Sequence, residues 1–296
     1  MHHKKKTLMV VEISIKNIII DILLILTLTS VYWFFSLFVR PTRTGFFCND
    51  QTIRYPYTEA SYSVLFLFTV GTSATLIILS VTEVFWPWTR RTEGNLRYNK
   101  YTFHGAYIPN CLVNFYYYFG WYLVGITSNM VFMEITKLVI GRKRPFFMDV
   151  CKPSVGYTSC ESKFDYITSY DCLGEDEELI KVVEMSFFSG HASYSFFVAT
   201  FLCIYLQIRF LKQNNLKLFT YLMQFVLVSY ASVISYSRVT EHWHHWSDVL
   251  TGMIVGSSFA YIIIFKVAEI SSNDLKEENN RFQKSVTQPI GNYKSS

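Results

Sequence analysis

Ser237-Arg-Val-Thr-Glu-His-Trp-His-His-Trp-Ser-Asp248 stands between two apolar runs, Leu218 to Tyr236 and Val249 to Val267. Each run is long enough to cross roughly 30 Å of hydrocarbon as a helix rising about 1.5 Å per residue. The polar stretch between them brings Arg238, His242, His244, His245 and Asp248 to one membrane boundary. If the second helix begins near His244, then His244 and Asp248 stand at i and i+4, and the carboxylate reaches the imidazole. Such a pairing fixes which ring nitrogen carries the proton and leaves the other free to attack or to bind. Arg238 adds a planar, forked cation suited to phosphate oxygens.

The remainder of the chain repeats the same composition. Its 296 residues are 51% hydrophobic and 18% aromatic, with a mean hydropathy of +0.22, which is unlike a soluble domain. Four further apolar blocks, Ile18 to Val39, Val64 to Trp86, Tyr116 to Thr136 and Ser193 to Ile208, bring the total to six. The expected fold is therefore all-α, a bundle of six transmembrane helices with both termini on one side. Basic residues favour the cytoplasm. Lys4 to Lys6, Arg90, Arg91, Arg97, Lys100, Arg209, Lys212 and Lys217 mark that side. The expected divisions are a cytoplasmic leader over 1–17, a six-span domain over 18–270 and a disordered, polar cytoplasmic tail over 271–296. No cleavable signal peptide is expected. The net charge of +5 sits in no separate basic domain, so nucleic acid is not an expected partner.

Cys48, Cys151, Cys160 and Cys172 fall on the opposite, extracellular or lumenal side, where disulfides persist, and three pairings are open to them. Cys111 and Cys203 lie in or beside spans and read as packed apolar residues. Asp21 and Glu83 lie near span ends, where acids snorkel to the interface. Gly252 and Gly256 form a Gly-x-x-x-Gly pair that permits close helix approach, first within the bundle and otherwise in a homo-oligomer.

Two other segments are polar at the same boundary. Met133-Glu-Ile-Thr-Lys-Leu-Val-Ile-Gly-Arg-Lys-Arg-Pro145 places Lys137 and Arg144 two helical turns apart, with the helix expected to end close to Arg144 before Pro145. Arg142 and Lys143 read as interface anchors, and Glu134 as a structural partner of Lys137. After a long acidic connection, a lid or a flexible loop, comes Ser186-Phe-Phe-Ser-Gly-His-Ala-Ser193. Here Ser189 is a natural N-cap, Gly190 admits a ligand near the backbone, and the new helix end offers amides to an anion. His191 in the first turn is placed to donate a proton.

The three segments resemble the three signature motifs of the type-2 phosphatidic acid phosphatase superfamily, in particular its lipid phosphate phosphatases. Lys137, Arg144 and Pro145 match the first motif; Ser189, Gly190 and His191 match the second, with Phe188 in place of proline; Ser237, Arg238, His244 and Asp248 match the third. The resemblance implies a two-step hydrolysis without metal or other cofactor. His244 would attack phosphorus, oriented by Asp248, and His191 would serve as acid and then base. Lys137, Arg144, Arg238 and the amides near Ser189 and Gly190 would hold the phosphate. Implied partners are membrane lipids and a phospholipid or sphingolipid phosphate substrate: phosphatidate, lysophosphatidate, sphingosine phosphate or ceramide phosphate. The plasma membrane is the expected location, with ER or Golgi as alternatives. Two other functions fit the same residues, a silent lipid-binding relative and a phosphatase for a soluble sugar phosphate. A zinc site on the three histidines is disfavoured, because Asp248 has another use and Lys137 and Arg238 repel the ion. His242 and His245 read as rim residues, Trp243 and Trp246 as interface anchors.

Overall fold

The computed structural model describes residues 10–90, 100–157, 164–210 and 216–267. The expected leader basic residues Lys4 to Lys6, the interface residues Arg91, Arg97 and Lys212, Cys160 and the tail 271–296 lie outside the described residues. In chain order the elements are β1 (Val10–Glu12), α1 (Ile15–Phe38), β2 (Phe46–Phe47), α2 (Val64–Arg90), β3 (Lys100–Phe103), β4 (Ala106–Ile108), α3 (Asn110–Ile140), α4 (Phe147–Cys151), β5 (Tyr166–Ile167), α5 (Glu177–Val183), α6 (Gly190–Phe210), α7 (Lys217–Thr240) and α8 (Trp246–Ile262). Six of them, α1, α2, α3, α6, α7 and α8, are long and apolar enough to span a membrane. The protein is a helical, multi-pass membrane protein, as composition predicts. Three of the six helices, α3, α6 and α7, start earlier and end later than the apolar runs, because a helix continues for as long as its backbone bonds are met, whatever the side chains.

α6 is the centre of the bundle. Phe197, Phe201, Leu202 and Val198 of this helix pack with Tyr122 and Ile126 of α3, Leu67 of α2, Ile234 of α7 and Ala260 of α8. The crossing of α6 and α8 is close because Gly252 and Gly256 leave room for it. A Cβ on Gly252 would lie 2.6 Å from the Ser189 carbonyl oxygen, and one on Gly256 would overlap the Ser193 carbonyl. The glycine pair therefore serves packing inside this chain. α1 has no buried residue and lies against α3, where the Tyr116 hydroxyl donates to Asp21 at 2.6 Å.

The two ends of the bundle differ. At the end shared with β1, β1 pairs in parallel with β3, and β3 and β4 form a hairpin whose turn residues His104 and Gly105 both have positive φ. Glu83 is buried there, not snorkelling. It accepts from Tyr205 at 2.7 Å and Asn114 at 3.0 Å and pairs with Arg209 at 2.6 Å, so three helices close round one satisfied carboxylate. Carboxylate and guanidinium that neutralise each other can stay in the apolar interior.

At the opposite end the described residues of the loops, 39–63, 141–157 and 164–189, fold together as a cap. β2 pairs antiparallel with β5, the two loops bury Phe46, Ile53, Phe146, Phe147 and Tyr170 between them, and Cys151 is bridged to Cys172. Cys48 is also disulfide-bonded. Arg54 stitches the cap further, donating to the carbonyls of Cys48 at 2.8 Å and Gly156 at 3.1 Å. The long connection is thus an ordered cap over the described residues, held by pairing that joins segments about a hundred residues apart.

Candidate active site

The loops that follow α3, precede α6 and join α7 to α8 meet under the cap. α3 ends at Ile140 because Gly141 takes a left-handed conformation with φ 60°, where a Cβ would collide with the Thr42 carbonyl. The expected continuation of the helix to Arg144 is therefore corrected: Lys137 is on the helix and Arg144 is on the loop beyond it. Arg144, 6% exposed, donates to the carbonyls of Val182 at 2.9 Å, Trp243 at 3.2 Å and Met185 at 3.4 Å, and stacks on Trp243. Three of its five N–H groups are so engaged, leaving two for a ligand. Burial lowers its pKa to about 10, so it stays cationic at neutral pH. Trp243 is part of this packing and hydrogen-bonds Thr58, whereas Trp246 is 70% exposed as an interface anchor would be.

α6 begins at Gly190, with the Ser189 hydroxyl accepting from the Ala192 amide at 3.5 Å. The Ser189 amide itself donates to the Asp248 carbonyl at 3.0 Å, which leaves the anion site to the amides of Gly190 and His191. Lys137 comes close here, its Nζ lying 3.5 Å from where a Cβ of Gly190 would be. His191 Nε2 donates to the Tyr62 carbonyl at 3.1 Å, since a carbonyl can only accept. Arg238 reaches the same carbonyl at 3.5 Å and is fully buried against Glu241 at 2.8 Å and Ser237 at 3.0 Å.

α8 begins at Trp246, two residues later than the i, i+4 pairing of His244 and Asp248 requires. His244 lies before the N-cap residue His245, and Asp248 is the third helical residue, where its carboxylate closes a capping box on the His245 amide at 3.1 Å. His244 Nδ1 sits 3.8 Å from Asp248 Oδ2, too far for a hydrogen bond, and donates instead to the Ser186 carbonyl at 2.8 Å. The expectation that Asp248 directly holds the ring is corrected on this distance. The consequence for the ring is the same, because Nδ1 carries the proton and Nε2 keeps its lone pair. Burial, then the Arg144 guanidinium and the Lys137 ammonium, holds the His244 pKa well below the ordinary histidine value. The Asp248 carboxylate is fully buried and meets Arg142 at 2.5 Å and the Ser186 hydroxyl at 2.6 Å.

Arg142 is therefore an ion-pair partner of Asp248 and not an interface anchor. Lys143 is not an anchor either: it is buried, bonded to Tyr170 at 2.5 Å and beside Glu184 at 3.6 Å, and burial lowers its pKa to about 8. His245 Nε2 donates to the Lys143 carbonyl at 3.1 Å, and His242 stacks on Tyr55. Arg142, Ser186, Tyr62 and Glu241 were not among the expected site residues. Glu241 had a signal, standing i+3 from Arg238 on α7; the other three act through tertiary contacts that spacing does not report. Among the described residues no three His, Cys, Asp or Glu side chains group as metal ligands.

Three basic groups, two histidines and an opening helix terminus thus converge from segments a hundred residues apart, in a six-span bundle. The model of the PAP2 superfamily matches residues 118–270, a range that contains every one of these groups. The chain belongs to the PAP2 superfamily. Mouse phospholipid phosphatase 2 is 30% identical over 252 residues, 85% of this chain and 86% of that protein. Mouse phospholipid phosphatase 1 is 30% identical over 259 residues, covering 86% and 87% respectively. The Caenorhabditis elegans phospholipid phosphatase homolog 1.2 homolog is 32% identical over 240 residues, covering 80% and 69%. No solved structure matches the chain. This PAP2 member is a membrane-embedded phosphatase, a phosphoric monoester hydrolase.

Proposed function

We propose that the protein hydrolyses lipid phosphate monoesters through a phosphohistidine on His244. The observation that carries this is the ring itself: Nδ1–H is committed to the Ser186 carbonyl, and the imidazole is neutral beside Arg144 and Lys137. A lone pair on Nε2 is what an in-line attack on phosphorus needs. Nε2 forms the N–P bond as the P–O ester bond breaks, and the electron pair leaves with the alcohol oxygen, which takes a proton from His191. His191 then removes a proton from water, the hydroxide attacks phosphorus, the N–P bond breaks back onto Nε2, and inorganic phosphate departs. The Tyr62 carbonyl holds Nε2–H of His191, so this exchange uses Nδ1, which takes up the remaining proton of a monoanionic monoester on binding, gives it to the alcohol, and is reprotonated from water in the second step. Lys137, Arg144 and Arg238, with the amides of Gly190 and His191, neutralise a monoester carrying about 1.5 to 2 negative charges.

Phosphatidate, lysophosphatidate, sphingosine phosphate and ceramide phosphate are the proposed substrates. The mouse relatives carry the name phospholipid phosphatase, and a site at one end of a membrane bundle lets acyl chains remain in lipid. The positive-inside bias supports a site that faces outward or into a lumen, with both termini cytoplasmic. The disulfides of the cap support the same orientation. No metal is required, because among the described residues the carboxylate beside the imidazole, Asp248, is already taken by Arg142, Ser186 and its own capping box.

The test is phosphate release by the purified chain in detergent from these four lipids and from glucose phosphate, with EDTA present. Lipid turnover that survives chelation and falls by about 10³-fold or more in His244→Ala supports the proposal. Loss in EDTA with recovery on adding zinc, or equal turnover of glucose phosphate, overturns it.

A further inference from the structure

We propose that Ser186 is a positioning residue of this reaction, the group through which Asp248 acts on the attacking imidazole. The inference rests on His244 being the nucleophile. Ser186 is fully buried and uses each of its polar groups. Its carbonyl accepts from His244 Nδ1 at 2.8 Å, and its hydroxyl donates to Asp248 Oδ2 at 2.6 Å while lying 3.4 Å from the same Nδ1. Its amide donates to the Arg142 carbonyl at 2.9 Å, which ties it to the loop that brings the Arg142 side chain to Asp248 Oδ1. The direct distance from ring to carboxylate, 3.8 Å, has no hydrogen bond in it.

The division of labour follows from the chemistry of the step. When Nε2 binds phosphorus, the ring becomes cationic and Nδ1–H becomes a stronger donor. The Ser186 carbonyl keeps that proton in line, and the carboxylate supplies the countercharge across 3.8 Å. The hydroxyl decides where that countercharge sits. Without it, Oδ2 keeps only the His245 amide and the carboxylate turns toward Arg142, away from the ring. Between a ring and a carboxylate that are both buried, a charge moved off the axis of the developing cation is felt in the transition state more than in the ground state. The loss therefore appears in turnover and not in substrate binding.

Ser186→Ala removes the hydroxyl and leaves the carbonyl. Steady-state kinetics on the full chain in detergent, with lysophosphatidate as substrate, are expected to show kcat reduced about 10- to 100-fold with KM little changed. Rapid-quench trapping of phosphoenzyme is expected to show its formation slowed by the same factor, and Ser186→Thr, which keeps a hydroxyl, recovers most of the rate. Ser186→Cys, close in size but a weak donor, is expected to behave as Ser186→Ala and keeps the test open if alanine does not yield folded protein. Wild-type kcat in Ser186→Ala or Ser186→Cys, alongside an inactive His244→Gln, sinks the role of Ser186 and leaves the nucleophile standing. Full activity in His244→Gln instead removes the nucleophile, and the Ser186 proposal with it. A purely structural serine would lower the yield of folded protein and leave the kcat of the folded fraction unchanged.

Discussion

His244 is buried as a neutral ring between cations, and acid acts against that arrangement. Its folded pKa lies below the unfolded value of about 6.5, so above that pH neither state takes up a proton and the group adds no pH dependence. Below it the unfolded chain binds a proton that the folded chain refuses, and stability falls as pH drops toward the folded pKa, by at most about 1.4 kcal/mol per pH unit. His245, also lowered by burial, acts with the same sign. Thermal unfolding in detergent between pH 7 and pH 5 is expected to show a falling midpoint that is shallower in His244→Gln. Arg142→Ala takes from the fully buried Asp248 a cation that is itself 37% exposed and leaves it the Ser186 hydroxyl and the His245 amide, so the expected cost is about 1 to 3 kcal/mol, read as a lowered midpoint, with a fall in kcat. The motif spacing made Lys137, His191, Arg238, His244 and Asp248 legible from the chain alone. It did not reveal how His244 is held, because that depends on Ser186, 58 residues away, and on the helix starting at Trp246.

Helices in this bundle are legible as apolar runs, while their ends are set by contacts. Gly141 ends α3 before the basic loop, since the Thr42 carbonyl occupies the space a side chain would need. Glu83 looked like a boundary acid and proved to be the centre of a network, a distinction that only the positions of Tyr205 and Arg209 on another helix make. The glycines separate in the same way. Gly256→Ala places a methyl on the Ser193 backbone, and α8 must move away from α6; the expected loss is about 1 to 3 kcal/mol, together with activity, because Asp248 shifts with its helix. Gly120, in α3, has open space around it, so Gly120→Ala is expected to be neutral or to add up to about 1 kcal/mol through helix propensity. Unfolding midpoints of the two variants, measured side by side, check the contrast.

At the level of the whole molecule, two loops from different parts of the chain build one cap, and no local pattern announces it. The sequence placed Cys151 and Cys172 on one side and left their pairing open; the structure joins them across 21 residues. A crosslink of that span stabilises by about 3 kcal/mol. Cys151→Ser with Cys172→Ser is therefore expected to lower the unfolding midpoint and to weaken turnover, since α5 and the residues just after it, which follow the bridge, carry the Val182 and Met185 carbonyls that grip Arg144. An unchanged midpoint would mean that β2, β5 and Arg54 hold the cap without it. One more consequence follows from the bond between the Ser189 amide and the Asp248 carbonyl, which lets the last span complete the mouth of the fourth. During synthesis the pocket has no finished form until the ribosome has delivered α8. A nascent chain is thus inert in the membrane that receives it, and any premature stop before Trp246 yields a protein that is silent from the outset.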